Sequence, residues 1–471
     1  MTTTDETRRR RHRNERIFAT VLVLVLTAAV AALIRFSQRE EGDILDQMYV
    51  PRPTTMTPEV ALLQEYIRID TSNPPGNEMP AAQWLAGQLA RNGIRAEIIE
   101  SAPRRGSVYA RIRGRQAGEG LLLVHHIDVV PAAPEGWTRP PFSGEIHQNQ
   151  LYGRGTLDIK GLGVCELAAF IAVARGGRQP ERDLVFLAVA DEETGSEYGM
   201  RWILEHRPDV IEGVRYAINE GGITEMMQER VTYYGIEIGT KQTVRVVVNA
   251  PSREQLLKAR IALEPWFIRR EPDRILPEVR RLFREIAPQR VAFREYLEDI
   301  DRTIAIGKFW NLPAGYREIA QNNVWTEPIS QTERGFEMPV LLFNLPDELP
   351  LERVRWLREK VASFGARIAE PFEPLGPVPS SSPDTPFFAL LAREAGAAFR
   401  APTGTEFMAR SVSDSRFLRV KGIQAYGINA FPVDFFQSES IHRVNERLRV
   451  DYFQQGVIFL KRVVERYAFA N

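Results

Sequence analysis

The sequence predicts an α/β protein, on three observations. Short, continuous apolar runs such as Leu121 to Val124 carry the mark of strands buried on both faces. Helical patterns alternate with them, opened by caps such as Thr57 before Pro58 and closed by glycines such as Gly93. With 471 residues and 44% hydrophobic content, the chain is too long for one small core and too mixed for disorder, so two globular domains are expected.

Composition narrows the function classes. Lys+Arg and Asp+Glu are equal at 61 each, which gives no reason to expect a nucleic-acid or polyanion partner. The single cysteine, Cys165, excludes an intramolecular disulfide framework. It also excludes a zinc ribbon, so any metal must sit on histidine and carboxylate ligands.

The N-terminal segment reads separately from the rest. From Ile17 to Ile34 no residue is charged, and as a helix this run reaches about 27 Å, near the thickness of a bilayer core. Arg8, Arg9, Arg10, Arg11, Arg13 and Arg16 precede it, so the positive-inside rule keeps residues 1–16 in the cytoplasm and sends the remainder across. The expectation is a transmembrane signal anchor over 17–36 with the catalytic part extracytoplasmic. The alternative is a secreted chain cleaved near Ala29-Val30-Ala31. Residues 37–56, charged and then carrying Pro51 and Pro53, read as a tether.

From Thr57 the pattern is globular. Helices are expected over Pro58 to Arg68 and Pro80 to Asn92, and strands over Ala96 to Ile99, Val108 to Ile112 and Leu121 to Val124. His126 follows the last of these directly. Leu184 to Ala190 likewise runs into Asp191-Glu192-Glu193, and Tyr216 to Ile218 into Asn219-Glu220. Ligands of open α/β sheets bind beyond the carboxyl ends of strands, so three strand ends deliver candidate ligands to one rim.

Each cluster has its own rationale. His126 and Asp128 are two apart, so on an extended segment they point the same way, and the carboxylate can hold the second imidazole nitrogen. His125 points away by alternation and reads as structural. Asp158 lies in a turn where Gly153, Gly155 and Gly161 allow close approach. Glu192 and Glu193 alternate sides, so one can bind metal while the other faces the metal-activated water. Glu220 and His442 complete an inventory of two imidazoles and three carboxylates, with Glu192 left over, which suits a two-metal hydrolytic site.

The stretch from His126 to Glu220, and again Ser413 to Glu446, resembles the co-catalytic zinc peptidase family of aminoacylase, carboxypeptidase S, acetylornithine deacetylase and succinyl-diaminopimelate desuccinylase. Trp137 to Ile146 and Leu151 to Gly161 are most similar to its carboxypeptidase S and N-acyl-amino-acid hydrolase branch. The resemblance implies a zinc-exopeptidase-type catalytic domain, with a mixed, mostly parallel central sheet flanked by helices, over 57–237 and 374–471. It implies a smaller inserted α+β lid over 238–373, read here as strand, helix, strand, helix at Thr243 to Val248, Arg253 to Phe267, Pro339 to Asn344 and Leu351 to Phe364. It further implies two zinc ions, with cobalt or manganese as alternatives. His126, Asp158 and Glu220 would hold one, and Asp158, Glu193 and His442 the other, with Asp158 bridging. Asp128 would orient His126, and Glu192 would be the general base. Arg416, in Ser413-Asp414-Ser415-Arg416, fits the place of the arginine that reads a substrate carboxylate.

The resemblance also implies a small peptide or N-acyl amino acid as substrate, with a homodimer among the partners. The lid departs from the pattern. Its usual histidine is absent, since all six histidines lie outside 238–373, and Asn344 stands near the place of its usual arginine. Lys241, Arg245, Tyr233 and Tyr234 are the candidate replacements as oxyanion donors. The departure motivates a second expectation of another class, a metal-binding relative with little hydrolytic activity that serves as a binding or scaffold protein.

Overall fold

The computed structural model describes residues 54–471 apart from 228, 269–271, 273, 370–378, 402–403, 410–411 and 471. In chain order the strands are β1 (Ala96–Ala102), β2 (Arg105–Ile112), β3 (Gln116–His126), β4 (Ile146–His147), β5 (Gln150–Tyr152), β6 (Arg182–Val189), β7 (Val214–Asn219), β8 (Ile223–Met227), β9 (Arg230–Thr240), β10 (Gln242–Ala250), β11 (Asn323–Thr326), β12 (Ser330–Thr332), β13 (Gly335–Asn344), β14 (Arg367–Ile368), β15 (Thr405–Ala409), β16 (Gln424–Gly427) and β17 (Arg447–Arg449). They form three sheets among the described residues. A nine-stranded sheet runs β1-β2-β6-β3-β7-β16-β9-β15, with β8 beside β9. A five-stranded sheet runs β11-β13-β10-β14, with β12 beside β13, and a three-stranded sheet joins β17, β5 and β4.

The large sheet is built as its sequence dictates. Leu121 and Leu123 enter one apolar cluster while Leu122 and Val124 enter another, so alternate residues of β3 feed helical layers on opposite faces. The same parity holds in β6, with Leu184 and Phe186 on one side and Val185 and Leu187 on the other. Each such side chain, fully buried, contributes about 1.5–3 kcal/mol. The helix Lys160–Arg175 lies close against this sheet because Gly163 has no side chain; a Cβ there would meet the His125 ring at 2.5 Å.

Two expectations are corrected here. The central sheet is evenly mixed rather than mostly parallel. Four of its pairings are parallel, β3 with β6 and β7, β7 with β16, and β9 with β15. Four are antiparallel, β1 with β2, β2 with β6, β8 with β9, and β9 with β16. A strand buried on both faces has the same apolar pattern in either direction, so direction was not readable from it. The second correction concerns the transmembrane anchor, and with it the membrane association and extracytoplasmic placement. Among the described residues no helix is long and apolar enough to cross a membrane. The segment 17–36 lies outside the described residues, and the reading had rested on its apolar length and on the arginines that precede it.

The expected helices at 253–267 and 351–364 are found as Arg253–Ile268 and Pro350–Ala362, against the five-stranded sheet. Between Arg253–Ile268 and β11 the chain adds a run of helices beginning at Pro277–Ile286 and ending at Ala314–Ala320, which the sequence reading did not anticipate. Val279, Leu282, Phe283 and Ile286 form one buried helix face there, packed with Tyr233 and Met408 of the large sheet.

β16 and β9 meet at a single rung, Gly427 opposite Glu237. Glu237 is fully buried, and its carboxylate accepts from Arg419 Nη2 at 2.8 Å. Burial raises the Glu237 carboxyl, and the guanidinium acts against that rise. Removing one partner of such a pair leaves the other buried and uncompensated. Arg419→Met should therefore lower stability by about 3–5 kcal/mol in urea unfolding. The double variant with Glu237→Gln should recover much of the loss, and equal loss in single and double variants would contradict this account.

Candidate metal centre

His126 ends β3, and its ring is fixed from behind. The Nδ1–H donates to the main-chain carbonyl of Asp128 at 2.8 Å, which leaves Nε2 facing outward from the strand end. The Asp128 carboxylate, expected to hold that nitrogen, lies farther from it, at 3.6 Å. It serves the neighbouring loop instead, accepting from the backbone N–H groups of Glu192 and Glu193, both at 3.1 Å, and from Asn73 Nδ2 at 2.8 Å. His125 turns to the opposite face, as alternation predicts. Its Nδ1 lies 2.8 Å from Glu166, and burial lowers its pKa to about 3, so this imidazole is neutral.

Asp158 follows a turn that needs Gly155 at φ +88°. Its Oδ1 lies 3.0 Å from His126 Nε2, and its Oδ2 lies 3.0 Å from His442 Nε2. Glu220, just past β7, brings Oε1 to 3.7 Å from His126 Nε2. Glu193 sits in the short 3-10 turn Glu192–Thr194 and brings Oε1 to 3.3 Å from His442 Nε2. Two groups result, His126 with Asp158 and Glu220, and Asp158 with Glu193 and His442, each with donor atoms within 4.8 Å of one another. Donors that share one ion at about 2.0–2.4 Å stand at comparable separations. The five expected ligand residues are thus brought together, with one aspartate common to both groups.

The electrostatics favour a cation there. Burial pushes the carboxyls of Glu192, Glu193 and Glu220 up. Burial would also raise Asp158, but its hydrogen bonds with His126 and His442 hold it below its ordinary value. Hydrogen bonds to Asp158 and Glu193 raise His442 to about 10. Crowded carboxyls and protonated imidazoles of this kind are where divalent ions replace protons. The nitrogen and oxygen donor set suits zinc, cobalt or manganese.

Around the ligands, several residues carry contacts that sequence reasoning missed. Asn73 Nδ2 reaches both Asp128 and Asp191, the latter at 3.0 Å. Arg105 pairs with Asp191 at 2.5 Å and with the fully buried Glu78 at 3.0 Å. Burial raises Glu78 to about 7. Asn73 opens the Pro74-Pro75-Gly76 turn, a visible signal, but a contact across 118 positions leaves no local trace.

Arg416 lies in the first turn of the helix Ser415–Val420, stacked 4.6 Å over Phe417. Among the described residues its guanidinium makes no hydrogen bond or ion pair, and its Nε is buried. Its segment is tied to the ligand loops on both sides. Ser196 Oγ donates to Asp414, and Asn219 Nδ2 donates to Ser415 Oγ at 3.1 Å. The candidate oxyanion donors are engaged elsewhere. Tyr234 donates to the Asn429 carbonyl at 2.6 Å and Tyr233 points to that of Glu406 at 3.5 Å. Lys241 donates to Gln321 O at 2.6 Å, and Arg245 pairs with Glu327 at 3.1 Å. Asn344 is fully buried.

A mixed α/β sheet whose strand ends present two histidine and carboxylate groups sharing one aspartate defines a metallo-hydrolase arrangement. The chain belongs to peptidase family M20/M25/M40, whose pattern matches residues 122–466. It is similar to the succinyl-diaminopimelate desuccinylase of Methylorubrum extorquens (strain PA1), 39% identical over 140 residues, covering 28% of this chain and 35% of that protein. It is also similar to the N-fatty-acyl-amino acid synthase/hydrolase PM20D1 of Xenopus tropicalis, 32% identical over 133 residues, covering 27% of this chain and 26% of that protein. The chain thus aligns with about a third or less of the length of these relatives. In fold it is similar to the M20 family metallo-carboxypeptidase Sso-CP2 of Sulfolobus solfataricus, with a TM-score of 0.67 at 16% identity over 88% of this chain and 100% of that one.

Sharing of Asp158 by both groups leads to a specific expectation. Elemental analysis of purified protein should find two divalent ions per chain. His442→Ala should keep one and Asp158→Ala neither. Two ions retained in Asp158→Ala would refute the shared ligand.

Proposed function

We propose that the protein hydrolyses an amide or peptide bond next to a free carboxylate, with two zinc ions at the paired groups. In this reading 57–237 and 374–471 are the catalytic domain and 238–373 the inserted lid. The observation that carries it is Asp158, which turns one oxygen to each imidazole while the Glu192 carboxyl beside them makes no hydrogen bond among the described residues. His126, Asp158 and Glu220 would hold one divalent ion and Asp158, Glu193 and His442 the other, and such a pair would supply a lowered water pKa and polarisation of the scissile carbonyl. Glu192 takes the proton of the attacking water and returns it to the leaving nitrogen. Burial raises its carboxyl, which suits a group that must both accept and give a proton. Arg416, unpaired among the described residues, receives the substrate carboxylate in a bidentate pair. Asp128 holds the Glu192–Thr194 turn through its N–H groups and so sets where the base stands.

The relatives support the substrate class. Their names describe removal of a succinyl group from diaminopimelate, hydrolysis of N-fatty-acyl amino acids, and carboxypeptidase action. We extend that class to this chain as a small peptide or an N-acyl amino acid.

One observation favours a second reading, a metal-binding relative with weak hydrolysis. The lid has no histidine, and its four candidate substitutes are all engaged elsewhere. Loss of one oxyanion donor lowers turnover by about 10²–10³-fold, which slows an enzyme without abolishing it. A panel of N-acyl amino acids and dipeptides separates the readings. The zinc-loaded protein should cleave at least one of them, and Glu192→Gln should lower kcat by about 10²–10⁴-fold with metal content unchanged. No cleavage by either version would favour the second reading.

A further inference from the structure

The Asp158 and His442 loops are neighbours in space although they lie far apart in the chain. β5, which leads into the Asp158 turn, pairs with β17, which leaves the His442 loop, in the register Arg447 to Tyr152. Glu446 is the residue just before β17, and it is fully buried. Its Oε1 accepts from the backbone N–H of Leu157 at 2.8 Å, from that of Asp158 at 3.3 Å and from Thr156 Oγ1 at 3.4 Å. Its Oε2 accepts from Arg154 Nη1. The Glu446 main-chain carbonyl accepts from Gly153 N–H at 2.9 Å. Arg154 completes the strap by donating Nη2 to the Arg443 carbonyl at 3.3 Å.

We infer that Glu446 is a positioning residue for the ion held by Asp158, Glu193 and His442. The inference rests on the proposed reading that ions occupy both groups. One carboxylate binds the turn that presents Asp158 and belongs to the loop that presents His442. It therefore sets the separation of two of the three donors of that ion. The other ion shares Asp158 but takes its two remaining donors, His126 and Glu220, from β3 and the end of β7, and neither hydrogen-bonds with Glu446 among the described residues. His442 itself has φ of 62° and Asn445 has 59°, conformations that a residue other than glycine keeps only where its surroundings impose them. The strap supplies that constraint.

The test uses zinc and the full chain. Both oxygens of Glu446 accept hydrogen bonds, so the Glu446→Gln amide must turn its NH2 toward a donor while its volume stays the same. Glu446→Asp keeps the charge but loses reach. Competition against a chromophoric chelator should show one of the two zinc ions bound about 10–100-fold less tightly in both variants. The other ion should change far less, and circular dichroism in chelator should match wild type. A uniform structural defect would weaken both ions together and overturn the inference. So would wild-type affinity in a folded variant, or failure of both variants to fold. Wild-type protein that takes up no zinc would overturn the proposed function as well, which separates the two failures.

Discussion

The arrangement turns on the carboxylate of Asp158, whose two oxygens each face a different imidazole at 3.0 Å. One acid can serve two ligand groups only if its side chain is held edge-on between them, and every neighbouring element contributes to that. β3 brings His126, the Glu192–Thr194 turn brings Glu193, and the loop before β17 brings His442. The fold spends three separate chain segments on placing one aspartate. That is a strong constraint on where the segments lie.

Backbone groups, more than side chains, impose it. The His126 ring is fixed by a peptide carbonyl, the Glu192–Thr194 turn by N–H groups gathered on Asp128, and the Asp158 turn by N–H groups gathered on Glu446. A peptide group cannot rotate to a new rotamer, so geometry fixed through it is more rigid than geometry fixed through side-chain pairs. Asp128 and Glu446 thus do related work at two loops. Each is a fully buried carboxylate that neutralises orphan backbone donors and leaves an acid of the ligand groups facing outward.

How far the sequence could be read follows from the range of each interaction. His126, Glu193 and Glu220 were legible because each closely follows an apolar run, and a strand end has a fixed place in an α/β sheet, whereas Asp158 and His442 were legible only through the resemblance. His125 and His126 could be told apart because parity alone decides which face each takes. Parity gives a side and no reach, so the switch from the Asp128 carboxylate to its carbonyl was beyond it. Asn73 with Asp191, and Glu446 with Asp158, join positions 118 and 288 apart, and no local pattern records such contacts. The helices between Arg253–Ile268 and β11 were a different kind of miss. Val279, Leu282, Phe283 and Ile286 are spaced as a helix face, but the region was read against a simpler lid. Strand direction was illegible for a physical reason, since an apolar run buried on both faces has no polarity.

The position of β16 between β7 and β9 has a consequence for how the chain is made. Those two strands are complete by residue 240, but the strand that joins them arrives only at 424–427, after the whole second sheet. During synthesis on the ribosome the large sheet therefore waits, split at its middle, while nearly two hundred further residues emerge. His442 comes later still. The nascent protein holds four of its five ligand residues before that gap is filled, and the centre closes only when the last strands dock.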